Sequence, residues 1–197
     1  PSVEVVPTWV LALSAVSLWI PFIGLLLWNS TSQATGNFFR DYRIAFKRTD
    51  AWGIPIGVAS QLVLVGLVTM PFRWLFPSTF DAETVEKRAN DLFDAAGGFW
   101  MVLLVVVVVV CAPLVEEILY RGFIQQNLSR SLGARWGLIM AAVWFAAIHL
   151  QLAEFPGLLA FALVLGLCFS RTQRIGMSII AHIAFNASAL AVIALTS

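Results

Sequence analysis

The sequence is short of charge. Of its 197 residues only 12% are Asp, Glu, Lys or Arg, against roughly 25% in a soluble domain. Too few polar side chains are present to cover a soluble globule, while 60% of the chain is hydrophobic. That excludes a disordered chain as well. Cysteine is scarce, with only Cys111 and Cys168, and both sit in apolar runs. A disulfide scaffold is therefore excluded, and the two are expected to be buried free thiols. No CxxC or HExxH occurs, so no metal-spaced pair is legible. A net charge of +1 gives no bulk attraction to nucleic acid. No internal repeat is present, which argues against an inverted-repeat transporter.

What the sequence does have is long apolar runs. A membrane span needs about 20 such residues, and the runs give an all-α, polytopic membrane bundle of about six helices. The spans are expected near Pro7–Asn29, Trp52–Phe76, Gly98–Leu119 with a helical continuation to Leu128, Ala134–Leu150, Phe155–Ser170 and Gly176–Leu195. The fifth is the shortest. The first run is too long for a signal-peptide core and is read as a retained span. Residues 1–97 are expected to form two N-terminal spans with amphipathic and exposed loop segments, and 98–197 a four-helix core.

Six tryptophans (Trp9, Trp28, Trp52, Trp74, Trp100 and Trp136) fall near span ends, where indoles favour the headgroup layer. Trp19 and Trp144 fall mid-span and are expected to need protein partners. The stretch Phe38–Asp50 alternates arginines with phenylalanines and reads as a surface segment on an anionic leaflet. The stretch 81–98 reads as a short exposed helix. The valine run Val105–Val110 is expected to be helical despite its β propensity, because a bilayer leaves no partner for an open strand. Nine cations lie in the first, third and fifth loops against Arg73, Lys87 and Arg88 on the other side. Both termini are therefore expected on the non-cytoplasmic face.

Polar groups inside these spans are rare, and ionisable ones are costly there. Glu116 and Glu117 end the valine run. His149 and His182 are the only histidines, and Asn186 is the only asparagine deep in a span. Glu117 and Arg121 stand four apart, a spacing that makes a same-face ion pair and leaves Glu116 pointing elsewhere. Phe145 and His149 share that spacing, as do His182 and Asn186. One interior cavity is the cheapest place for all of them. His149 lies about 22 Å along its helix from Ala134 at 1.5 Å per residue, so the fourth span is expected to begin well below the sixth.

A carboxylate, two imidazoles and a carboxamide form a hydrolytic set. A desolvated glutamate can act as general base on water, one histidine can share that water, and the other can join asparagine in stabilising an oxyanion. No serine or cysteine is placed as a nucleophile. The same groups leave two alternatives open. Glu116, His149 and His182 could hold zinc, and the two histidines could ligate a pigment or haem in a small transporter or cofactor-binding protein.

These residues carry a resemblance. Glu116–Arg121 reads EEILYR, matching EExxxR; Phe145–His149 reads FAAIH, matching FxxxH; His182–Asn186 reads HIAFN, matching HxxxN. In this order on separate helices, they resemble the signature of the CPBP intramembrane proteases. That family includes the Rce1-type CAAX prenyl endopeptidases and the bacterial Abi proteins. The resemblance covers roughly Gly98 to Thr196. It implies an intramembrane endopeptidase in which Glu116 activates water with His149, and His182 and Asn186 stabilise the oxyanion. Glu117 and Arg121 are implied as supporting residues and Phe145 as a pocket-shaping one. The family has been called a metalloprotease family, but the Rce1-type structure suggests metal-free hydrolysis; no cofactor is expected here, with zinc as the alternative. The implied partners are membrane lipids and a prenylated or membrane-embedded peptide. The competing function is a non-catalytic scaffold or accessory subunit in a larger membrane complex.

Overall fold

The computed structural model describes residues 8–80 and 98–196. The expected exposed helix over 81–98 thus lies almost wholly outside the described residues. Among these residues the chain is helical, without strands, and it is a multi-pass membrane protein. Helix α1 covers Thr8–Gln33, the short α2 Phe38–Asp41, and α3 Arg48–Leu75. The long α4 runs Phe99–Leu132, followed by α5 Ala134–Ile148, α6 Phe155–Thr172 and α7 Gly176–Thr196.

Five of these helices are long and apolar enough to cross a membrane. The shortest span is the fourth, not the fifth as expected. Helix α5 has 15 residues, or about 22 Å, less than the roughly 30 Å of a hydrocarbon core. It stops at His149, and Leu150 turns the chain with a left-handed φ of +54°. Pro156 then opens α6 in the first helical turn, where a missing N–H costs nothing.

The early end of α5 also corrects the expectation for Trp144. Its indole is 54% exposed, while the adjacent Phe145 and Ala146 are buried, so it sits on the outward face one turn from the helix end. Trp19 is half-buried. The six indoles expected at span ends are all exposed. Cys168 is buried and Cys111 half-buried, both as free thiols.

Helix α4 overshoots the layer in which Glu116 lies. Leu132 is 16 residues beyond Glu116, about 24 Å along the axis, and α5 returns over about the same distance to His149. This overshoot supplies the deep start that the fourth span required. The valine run is helical, as expected, with a widened π turn over Val106–Cys111. A second π turn covers Ile118–Gln125. Such turns mark functional positions in many helices.

The bundle is joined by α3 against α7, α5 against α6, and α4 against both α5 and α7, while α1 lies along α4. The α3–α7 seam depends on two glycines one turn apart. A Cβ on Gly53 would lie 2.7 Å from the Met177 carbonyl oxygen, and one on Gly57 would overlap the Ala181 carbonyl. Small residues at i and i+4 let helix backbones approach in lipid, where apolar burial alone does not drive association.

Below this seam, Asp50 is fully buried and receives Arg174 at 2.6 and 3.2 Å. The pair ties the first turn of α3 to the α6–α7 turn. Arg174 and Arg121 are thus ion-paired inside the protein, leaving seven cations against three in the count on which the orientation rests.

The seam generates a contrast within one helix. Gly57→Ala must push α3 off α7 and is expected to destabilise the protein by about 1–3 kcal/mol. Gly66, with nothing within 4 Å of a new Cβ, should tolerate alanine with no loss or a gain of about 0.5–1 kcal/mol. Thermal midpoints of the two variants in the same detergent check this; equal losses would contradict it.

Candidate active site

Three helices bring their polar residues to one cavity of about 430 Å3. Glu116 comes from α4, Phe145 and His149 from the end of α5, and His182 and Asn186 from α7; all five line the cavity. Glu117 and Arg121 stand behind it, both buried. Every residue singled out in the sequence is therefore at this cavity or directly supporting it.

The support is a chain of charged contacts. Arg121 Nη1 donates to Glu117 Oε1 at 3.0 Å, and Arg121 Nη2 donates to the Ala162 carbonyl at 3.1 Å. Its guanidinium also lies 5.0 Å from the Phe145 ring centroid. One side chain thus links α4, α5 and α6. Glu117 Oε1 meets His182 Nδ1 at 2.9 Å. A guanidinium can only donate and a carboxylate so engaged accepts, so His182 Nδ1 carries the proton. This fixes the imidazole with Nε2 facing Glu116 Oε2, 3.9 Å away.

His149 is set in the same way by a different partner. Its Nδ1 lies 2.7 Å from the Phe145 carbonyl oxygen. A carbonyl only accepts, so Nδ1 donates, and in the neutral ring Nε2 keeps its lone pair. Rings hold both histidines in place: Phe145 lies 4.8 Å from His149 and 5.9 Å from His182, and Phe161 lies 5.4 Å from His182, centroid to centroid. Tyr120 meets Phe145 edge-on at 5.0 Å.

Asn186 is positioned by a defect in α4. In the π turn, Ala112 N–H reaches the Val107 carbonyl, five residues back. The next such bond would join residue 113 to Val108, but Pro113 has no N–H. Asn186 Nδ2 replaces it, donating to Val108 O at 2.8 Å. One amide hydrogen therefore ties α7 to α4.

Zinc would require Glu116, His149 and His182 on one ion. Among the described residues no three His, Cys, Asp or Glu side chains are grouped to hold a metal.

Sequence reasoning missed the wall supplied by α1. Ala15, Leu18 and Trp19 line the cavity, yet their apolar pattern does not differ from that of a lipid-facing helix. Phe161 was missed for the same reason. The Gly53/Gly57 seam had a readable signal, the spacing G-x-x-x-G.

A multi-pass helical membrane protein, with a glutamate, two oriented imidazoles and a carboxamide around one interior cavity, is the class that fold and site define. The family model described as Type II CAAX prenyl endopeptidase Rce1-like matches residues 98–188. That segment carries all three motifs, and over it the chain is similar to the Rce1-like family. At the family level this similarity supports a CAAX-type intramembrane protease. Comparisons with curated proteins and with solved structures find no match.

Removing one member of a buried ion pair strands the other charge. Arg121→Met or Glu117→Leu alone is expected to cost about 3–5 kcal/mol, whereas the double variant should lose less than either single one. Arg121→Lys should not restore stability, since an ammonium cannot serve Glu117, Ala162 O and the Phe145 face together. Denaturation midpoints of the four variants check this; additive losses in the double variant would contradict the pair.

Proposed function

We propose that the protein is an intramembrane endopeptidase in which Glu116 activates a water molecule for attack on a peptide carbonyl. The observation that carries this reading is the buried chain Arg121–Glu117–His182, which ends with an oriented imidazole facing Glu116 across the cavity. Three fixed groups supporting one half-buried carboxylate are more than helix packing requires.

In this mechanism the Glu116 carboxylate takes a proton from water as the water oxygen bonds to the carbonyl carbon. His149 Nε2, which carries the lone pair in the neutral ring, helps orient that water. Charge developing on the carbonyl oxygen is met by the second Asn186 N–H, since the first is held by Val108 O. It is also met by His182 when Nε2 is protonated, with Glu117 behind Nδ1 to offset the added charge. The proton on Glu116 then passes to the leaving nitrogen as the C–N bond breaks. The products are a carboxylate and an amine. Every step uses groups of this chain and one water.

The substrate we propose is a peptide reached from within the membrane, with an apolar segment or a lipid modification. Most of the cavity wall is apolar, with Leu103, Leu104 and Val107 of α4 opposite Trp19 of α1. Such a wall favours an alkyl or isoprenoid chain beside the scissile bond.

Glu116→Gln keeps shape and removes the base. It should lower kcat on a fluorogenic prenylated peptide by about 10²–10⁴-fold, the usual worth of general-base catalysis. A chelator should leave the wild-type rate unchanged. Wild-type turnover that survives in Glu116→Gln would overturn the mechanism, and loss with chelator restored by zinc would overturn its metal-free form. A folded wild-type protein that cleaves neither prenylated nor unprenylated membrane peptides would favour the scaffold reading.

A further inference from the structure

A second cavity, of about 450 Å3, lies where α1 and α4 run out of apolar sequence. The intramembrane site does not use it. Arg40, Arg43 and Arg130 line it together with Asp41 and the amide side chains of Asn29 and Gln126. Three guanidiniums against one carboxylate leave its lining with a net charge of +2.

That carboxylate is already engaged by the end of α1 and the α1–α2 loop. Asp41 Oδ2 accepts from Ser30 Oγ at 2.6 Å, and Oδ1 accepts from Thr35 Oγ1 at 2.6 Å. The two hydroxyls hold its carboxyl below the usual carboxylate range, so the charge stays committed to these two partners. Arg43 is fixed from another direction. It donates to Gln173 Oε1, lies 5.7 Å from the Phe169 ring centroid, and has a left-handed φ of +55°. Partial burial, and after it the nearby charge of Arg130, push the Arg43 guanidinium below its ordinary value. Two like charges thus share the cavity.

The base of the cavity is also built. Tyr42 is buried and its hydroxyl donates to the Leu26 carbonyl at 2.7 Å. Gln126, also buried, donates to the Asp41 carbonyl at 2.9 Å. A Cβ on Gly122 would lie 2.9 Å from the Tyr42 carbonyl oxygen, so the loop sits against α4 backbone. These contacts hold cationic side chains around a preformed hollow, which a segment merely lying on a membrane does not need.

We infer that this cavity binds a phosphate group, with Arg40, Arg43 and Arg130 as its cationic ligands. Guanidinium forks match phosphate oxygens and bond them in pairs. The volume suits a headgroup or a small phosphate ester. Exposed Trp28 in the last turns of α1 puts the cavity at headgroup depth. A phospholipid headgroup and a soluble phosphate share this chemistry, and basic pockets between membrane helices take such headgroups.

The test uses the full chain in detergent with two probes, inorganic phosphate and dihexanoyl-phosphatidylglycerol, and dihexanoylglycerol as the phosphate-free control. Arg40→Gln/Arg130→Gln alters two exposed arginines of the cavity. Arg48→Gln/Arg135→Gln removes the same charge outside it. The phosphatidylglycerol affinity should fall by about tenfold or more in the first double variant. It should fall by less than about fivefold in the second, as expected of screened surface charges. Dihexanoylglycerol should not bind in a way that depends on these arginines.

Competition by inorganic phosphate would show that the phosphate group alone suffices. Lipid binding without that competition would assign the site to the whole headgroup. Equal losses in the two double variants, or no binding of either probe to protein with an unchanged thermal midpoint, would overturn the inference.

Discussion

A buried glutamate that receives both a guanidinium and an imidazole is the contact on which the rest depends. Glu117 has no solvent exposure, and its Oε1 accepts from Arg121 and from His182. Charges in such a place are expensive unless paired and hydrogen-bonded. The pairing joins four helices at once. Arg121 reaches the α6 backbone and the Phe145 ring of α5, and His182 brings α7 to α4. The same contacts that satisfy the charges orient the imidazole toward Glu116. Stability and site geometry therefore rest on one set of atoms.

The backbone is shaped to serve this arrangement. Helix α4 continues past the site far enough for the short α5 to come back and end at His149. Its π turn and Pro113 leave the Val108 carbonyl for Asn186. The Gly53/Gly57 seam brings α3 onto α7 close to His182, with Ala181 at the contact. The Asp50–Arg174 pair anchors the α6–α7 turn from which α7 rises. Helix α1 lies outside the segment matched by the family and completes the cavity wall with Trp19.

Much of this was legible because polar residues in apolar spans are rare. Glu116, His149, His182 and Asn186 stand out against their surroundings, and a spacing of four is enough to place Glu117 beside Arg121. Span limits were legible from apolar length and tryptophan position. Where the reading failed, one-dimensional patterns could not carry the answer. Trp144 was expected to need protein partners, yet its indole is exposed, because an apolar helix does not reveal which of its faces meets the bundle. Asp50 and Arg174 looked like ordinary loop charges, since their pairing joins a helix start and a turn 124 residues apart. The wall role of Trp19 depends on which face of α1 meets α4, and an all-apolar helix does not reveal that face.

The chain has only two histidines, so the central claim can be tested directly by nitrogen NMR of the protein labelled at histidine. With each ring assigned by substituting the other, the account predicts a proton on Nδ1 of both rings. For His182 that signal should persist whether or not Nε2 is also protonated, because Glu117 holds it. A neutral His182 with its proton on Nε2 and a bare Nδ1 would contradict the account, since the imidazole would then not be oriented by Glu117.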